Sequence, residues 1–226
     1  MVRAILFDVD GTLIRTRGVG VRAFARAFKI LFGFPENTVE KISFAGRTDV
    51  SLAKEYFRLN GYSPTKQEIK DFFVAYVFLL DEMMKHSDGG VCPGVREFIN
   101  QARKISPPPL IGLLTGNIQL GAEIKLRHFG IWDEFEVGAF ADDSEDRNEI
   151  ARVAFERTRK LIGEPLLGRQ VVVVGDTVHD ITCARAIGAR ALTVTTGGNT
   201  KEELKRNNPD WVVDDLKEIS FKCICE

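Results

Sequence analysis

The first strand-like run of this chain ends in charge. Val2-Arg3-Ala4-Ile5-Leu6-Phe7 is apolar and β-prone, and it stops at Asp8-Val9-Asp10-Gly11-Thr12. A buried strand has no structural use for a carboxylate at its end, because burying one without a partner costs several kcal/mol. In extended chain, residues i and i+2 point the same way, so Asp8 and Asp10 are expected to aim at one spot beyond the strand's C-terminal edge. That edge is where ligands sit in open α/β sheets. Two acids at one spot repel unless a cation or a shared proton intervenes. The pattern therefore fits a hard cation such as magnesium, which takes one or two carboxylates plus water and phosphate oxygens.

Apolar runs recur downstream with helical patterns between them. Strands are expected at Val2–Phe7, Leu110–Leu114, Phe135–Val137, Gln170–Val174 and Arg190–Val194, with a weaker one at Trp211–Val213. Val171 to Val174 is uniformly β-branched, as suits a central strand covered on both faces. Helices are expected over Val95–Lys104, Ile118–Phe129, Glu149–Leu161 and Val178–Ile187, with Asn117 as an N-cap and Gly130 and Gly188 as terminators. This alternation predicts an α/β fold, a doubly wound parallel sheet of Rossmann-like type.

One stretch breaks the alternation. From Arg15 to Asp88 the pattern reads as continuously helical, with Val21, Phe24, Phe28 and Leu31 on one face. Nine of the sixteen phenylalanines lie between Phe24 and Phe78. The expected organisation is a core of residues 1–14 and 91–226 with an inserted α-helical domain at 15–90. Hinges are expected near Arg15–Gly20 and Asp88–Pro93, where Gly18, Gly20, Gly89 and Gly90 lie.

Composition narrows the function classes. The formal charge of −1 supplies no electrostatic reason to bind nucleic acid or an anionic membrane. The longest apolar run, near Phe72 to Leu80, is far shorter than the roughly 20 residues of a membrane helix. Met1 leads straight into the first strand, so a cytoplasmic location is expected. Cys92, Cys183, Cys223 and Cys225 lack paired metal-site spacing and are read as reduced thiols.

Asp8-Val9-Asp10-Gly11-Thr12 resembles the first motif of the haloacid dehalogenase superfamily in its phosphatase form. Leu113-Leu114-Thr115-Gly116-Asn117 resembles the second motif, and Val174-Gly175-Asp176-Thr177-Val178-His179-Asp180 the fourth. The third motif departs from the pattern. Relatives usually carry a lysine there, whereas this region reads Asp142-Asp143-Ser144-Glu145-Asp146-Arg147, and Lys160 lies too close to Asp176. The role falls to Arg147, which binds phosphate oxygens in a fork and keeps its charge. The insert resembles the family's helical cap of the first type, and Gly46-Arg47-Thr48-Asp49 resembles the cap's substrate loop in phosphoglycolate-phosphatase-like members.

The resemblance implies hydrolysis of a phosphate monoester. Asp8 would be the nucleophile and Asp10 the general acid and base. Magnesium would be held by Asp8, the backbone carbonyl of Asp10, Asp176 and Asp180. Thr115, Gly116 and the helix start after Asn117 would bind the phosphoryl group, with Thr12, Arg47 and Thr48 contributing to substrate binding and Arg147 stabilising charge. Arg15, Arg17 and Arg47 would suit a doubly anionic small molecule such as phosphoglycolate. His179 is read as a surface residue, and His86 and His128 as structural or exposed. The expected partner is a small phosphorylated metabolite, bound by a monomer or homodimer, with neither nucleic acid nor membrane. Two rivals stand beside the phosphatase. One is a sugar-phosphate mutase on the same four motifs, and the other is a non-catalytic binding protein. A phosphonate hydrolase would need a cap lysine, for which Lys54 is the candidate.

Overall fold

The computed structural model describes residues 1–225. Six parallel strands form one sheet: β1 (Ala4–Phe7), β4 (Leu110–Leu114), β5 (Val137–Ala139), β6 (Val171–Gly175), β7 (Arg190–Val194) and β8 (Trp211–Val213), in the order β5-β4-β1-β6-β7-β8. The chain builds outward from β1 through β4 to β5, then returns to β6 on the other side of β1. The reversal places a crevice at the C-terminal ends of β4, β1 and β6. Register fixes what meets there, because Phe7 lies opposite both Leu113 and Val174. Asp8, one residue on, and Thr115 and Asp176, two residues on, thus emerge at neighbouring strand ends.

The period-2 alternation of the strands serves two layers of helices. Ile5, Phe7, Ile111, Leu113, Val172 and Val174 pack on one face against α4 (Val95–Arg103) and α5 (Gln119–His128). Ala4, Leu6, Val171 and Val173 pack on the other against α6 (Arg147–Ile162) and α7 (Val178–Ala186). This is the α/β, Rossmann-like doubly wound parallel sheet that the alternation predicts.

The stretch read as continuously helical is instead α1 (Val19–Phe32), a 3-10 turn at Glu36–Lys41, α2 (Asp49–Leu59) and α3 (Lys66–Met84). Gly33, at φ 69°, ends α1, and an irregular loop precedes α2. A capping box of Thr65 and Glu68 starts α3. These helices share an aromatic core. Phe28 stacks on Tyr56 at 4.0 Å and on Phe72 at 4.1 Å, and Phe24 meets Phe72 edge-on at 4.8 Å. Such pairs add about 0.5–1.5 kcal/mol each beyond area burial. Leu31, expected on this buried face, is exposed, as is Phe78.

The two chain crossings between sheet and helices pair as a short antiparallel ribbon, β2 (Ile14–Arg15) with β3 (Gly90–Val91). Gly20 lies inside α1 rather than in a hinge. A Cβ there would stand in ordinary contact with Lys125, 3.4 Å from Nζ. The strand expected at Phe135–Val137 begins at Val137, because Trp132–Glu134 turns as a 3-10 segment. No helix among the described residues is long and apolar enough to cross a membrane. All four cysteines are free thiols, Cys92 and Cys183 buried.

Candidate active site

The ends of β1 and β6 and the start of α7 bring three buried carboxylates together. Asp8, Asp176 and Asp180 each place an oxygen within 4.8 Å of the others. Neutralisation is partial. Arg147, the first residue of α6, puts Nη2 at 2.5 Å from Asp180 Oδ1 and at 3.4 Å from Asp8 Oδ1. Its buried Nε has no hydrogen-bond partner among the described residues. Asp180 also accepts from the Thr177 backbone N–H and hydroxyl, closing a capping box at α7.

The electrostatics record the excess of negative charge. Burial, then the charge of Asp180, raises the Asp8 carboxyl well above its ordinary range, against the pull of Arg147. Asp176 is pushed up to about 7 by burial and by Asp180, although the Gly198 N–H and Thr12 hydroxyl oppose the shift. Burial alone would lower Arg147, but Asp180 and Asp8 outweigh it, so its charge is secure. Three clustered oxygen donors, of which Asp8 and Asp176 resist ionisation through burial and the charge of Asp180, form an environment suited to a hard dication. The donor set fits magnesium.

Asp10 faces elsewhere. Its Oδ2 accepts from Asn117 Nδ2 at 2.9 Å and from Lys125 Nζ at 2.6 Å. Lys125 also donates to Asn117 Oδ1 at 2.6 Å and is 4% exposed. The N-cap position of α5 is Ile118, not Asn117, whose amide is committed to Asp10 and Thr115. Thr115 Oγ1 accepts from both the backbone N–H and Nδ2 of Asn117, which leaves its own hydrogen free to donate.

Sequence reasoning missed Lys125. The available signal is its position on the buried stripe of α5, with Gly121, Ala122 and Leu126. A lysine there is almost never fully buried unless paired. Lys125→Met keeps the volume and removes the ion pair with Asp10. The expected result is a fall in kcat of about 10- to 100-fold, at or below the lower end of the roughly 10²–10⁴-fold that general acid–base catalysis supplies, because Asp10 itself remains. The accompanying loss of stability should be no more than about 1–3 kcal/mol. Steady-state kinetics and urea unfolding of the variant check both, and wild-type kcat would show that the lysine does not position Asp10.

The loop before α2 docks on the second-motif turn. The Asp49 N–H donates to the Gly116 carbonyl at 2.7 Å, and Asp49 Oδ2 accepts the Ile118 N–H at 2.9 Å, capping a core helix from the insert. Asp49 is raised to about 6 by burial, opposed by the charge of Lys125 and the Ile118 N–H. Gly116 must be glycine here, since a Cβ would stand 2.2 Å from the Arg47 carbonyl oxygen. Lys54 pairs with Glu145 across the same junction.

Between sheet and insert lies a cavity of about 410 Å³, lined by Asp8, Asp10, Thr115, Gly116, Asn117, Arg147 and Asp176 among others. Thr12 and Thr48, expected to touch substrate, do not line it. Thr12 donates to Asp176 Oδ1 at 2.9 Å, and Thr48 caps α2 while donating to the Glu145 carbonyl at 3.1 Å. Both hydroxyls are spent on holding the fold. All three arginines line the cavity, and each has a protein partner: Arg47 pairs with Glu55, Arg17 with Asp88 at 3.2 Å, and Arg15 donates from Nε to the Thr196 carbonyl at 2.6 Å. His179 is exposed, and a Cβ at Gly46 would collide with its ring.

The likenesses to known proteins agree with this geometry. The chain is 26% identical to the phosphoglycolate phosphatase of Synechococcus elongatus, over 94% of this chain and 93% of that one. It is 22% identical to the pyrophosphatase PpaX of Bacillus pumilus, over 96% and 94%. The crystal structure of CbbY from Rhodobacter sphaeroides in complex with phosphate shares the fold at a TM-score of 0.77 and 23% identity, covering 96% of each chain. Residues 2–188 match the haloacid dehalogenase-like hydrolase model, and the chain belongs to that family.

Proposed function

We propose that this hydrolase is a magnesium-dependent phosphatase of small phosphorylated metabolites, working through an aspartyl phosphate on Asp8, with residues 15–90 as its cap. The observation that carries the reading is the division of labour between carboxylates. Asp8 sits with Asp176, Asp180 and Arg147, whereas Asp10, two residues on, is held apart by Lys125 and Asn117. That division supports attack by the first group and proton transfer by the second.

In the first step an Asp8 oxygen bonds to phosphorus, the ester P–O bond breaks, and Asp10 gives its proton to the leaving alcohol oxygen. In the second, Asp10 takes a proton from water as the water oxygen bonds to phosphorus and Asp8 is released. One water is consumed. The free Thr115 hydroxyl hydrogen and the Gly116 N–H would bind phosphoryl oxygens, and Arg147 would offset the charge that develops beside Asp8. Asp8, Asp176 and the Asp10 backbone carbonyl would hold magnesium, with Asp180 directly or through water. The charge on Asp8 and the phosphoryl group would be offset by such an ion. Relatives named for phosphoglycolate and for pyrophosphate differ in their leaving groups, so those names support the phosphoryl chemistry rather than one substrate.

The test is phosphate release from a panel of phosphate esters, with magnesium and with chelator, across pH. Turnover should require the metal. Because the Asp176 carboxyl is raised from 3.8 to about 7, it holds a proton below that value. The magnesium concentration for half-maximal rate should therefore rise as pH falls through 7, by up to about tenfold per unit for one displaced proton. Undiminished turnover in chelator, or none on any ester, would refute the reading.

A further inference from the structure

Away from the carboxylates, the cavity runs under the helical insert. Val21, Phe24, Phe44 and Leu52 make an apolar wall there, and Asp49 and Tyr76 interrupt it. Both are buried, Tyr76 to 1% exposure. Asp49 spends Oδ2 on the Ile118 N–H. Its Oδ1 and the Tyr76 hydroxyl have no hydrogen-bond partner among the described residues, and neither atom is sealed from solvent. A ligand that displaces their water must replace those hydrogen bonds or lose about 1–3 kcal/mol for each.

We propose that Asp49 and Tyr76 read the leaving alcohol and select a phosphate monoester whose alcohol carries a further hydroxyl, a polyol or sugar phosphate, over one that carries a carboxylate. The proposal rests on the phosphatase reading above. A carboxylate oxygen accepts a hydroxyl hydrogen, and a phenol both donates and accepts. A substrate carboxylate brought against Asp49 meets like charge. Lys125 is already committed to Asp10 and Asn117, Arg47 to Glu55 and Arg17 to Asp88, and Arg15 gives its Nε to the Thr196 carbonyl. The C–H faces of a polyol suit the Phe24 and Phe44 wall, and about 410 Å³ is more room than a two-carbon acid fills.

Matched esters test this. The values of kcat/KM are measured for glycerol 1-phosphate, n-propyl phosphate, phosphoglycolate and an aryl phosphate, with wild type, Tyr76→Phe and Asp49→Asn, each checked for an intact thermal transition. Wild type should prefer glycerol phosphate to propyl phosphate by about tenfold or more, the scale of an unreplaced polar contact. Tyr76→Phe should cut that ratio several-fold. Asp49→Asn should cut it too and raise phosphoglycolate relative to glycerol phosphate. A wild-type ratio near one, a preference for phosphoglycolate, or a ratio that neither variant changes would overturn the proposal while aryl phosphate turnover left the phosphatase reading standing. Absence of aryl phosphate turnover by wild type would overturn both.

Discussion

Asp8→Asn should abolish turnover of every phosphate ester, by a factor on the order of 10⁴–10⁶, the scale on which loss of a covalent nucleophile acts. An amide cannot form the acyl phosphate, and neither Asp176 nor Asp180 can substitute, because both are tied by hydrogen bonds from Thr12, Gly198, Thr177 and Arg147. The stability effect runs the other way. In wild type the folded Asp8 carboxyl titrates well above its unfolded value of 3.8, mainly through burial and the Asp180 charge. Its contribution to stability is therefore present in full below that unfolded value and lost as pH rises through the folded one. The asparagine removes that loss. In chelator, the variant should melt higher than wild type at pH 8, by about 2–4 °C per kcal/mol gained for a domain of this size. Magnesium should narrow the difference by stabilising wild type more. Phosphate-release assays and melting curves with and without metal check both halves. Residual turnover near the wild-type rate would remove Asp8 from the nucleophile's role.

Much of this site was legible because strand ends and local spacing dictate it. Asp8, Thr115 and Asp176 each follow an apolar β-prone run, and parallel register then brings such ends together. The period-2 strands and the phenylalanine-rich insert could be read for the same reason, since each pattern has a local physical cause. What stayed hidden depends on contacts between segments distant in the chain. Lys125 looks like one more helix lysine until Asp10, more than a hundred residues earlier, is seen against it. Asp49 reads as the end of the insert's substrate loop, yet it also caps α5 of the core. Thr12 and Thr48 carry the right chemistry for a ligand, but nearer partners, Asp176 and the Glu145 carbonyl, claim them. Arg47 and Arg17 line the cavity, but their partners Glu55 and Asp88 could not be read from the sequence in the same way.

Arg147 supplies the second large expected effect, and here charge and geometry can be separated. Arg147→Met should lower kcat by about 10²–10³-fold, the range for removing one electrostatic stabiliser of the transition state. It should also destabilise the metal-free protein by about 3–5 kcal/mol, because truncating one partner of a buried ion pair leaves the other charges uncompensated. Asp8 and Asp180 are those charges, with side chains 8% and 2% exposed. Arg147→Lys restores the charge without the planar fork, whose Nη2 donates to both carboxylates. Stability should return to within about 1–2 kcal/mol of wild type, since the charge is what burial demands. The rate should remain depressed by about tenfold if the fork matters to positioning, the equivalent of roughly 1.4 kcal/mol in the barrier. Single-turnover kinetics and urea unfolding on the three proteins separate these terms. A methionine variant with wild-type kcat and stability would mean that Arg147 belongs to the surface of α6 and not to the site. A lysine variant as fast as wild type would mean that the site asks this residue for positive charge alone.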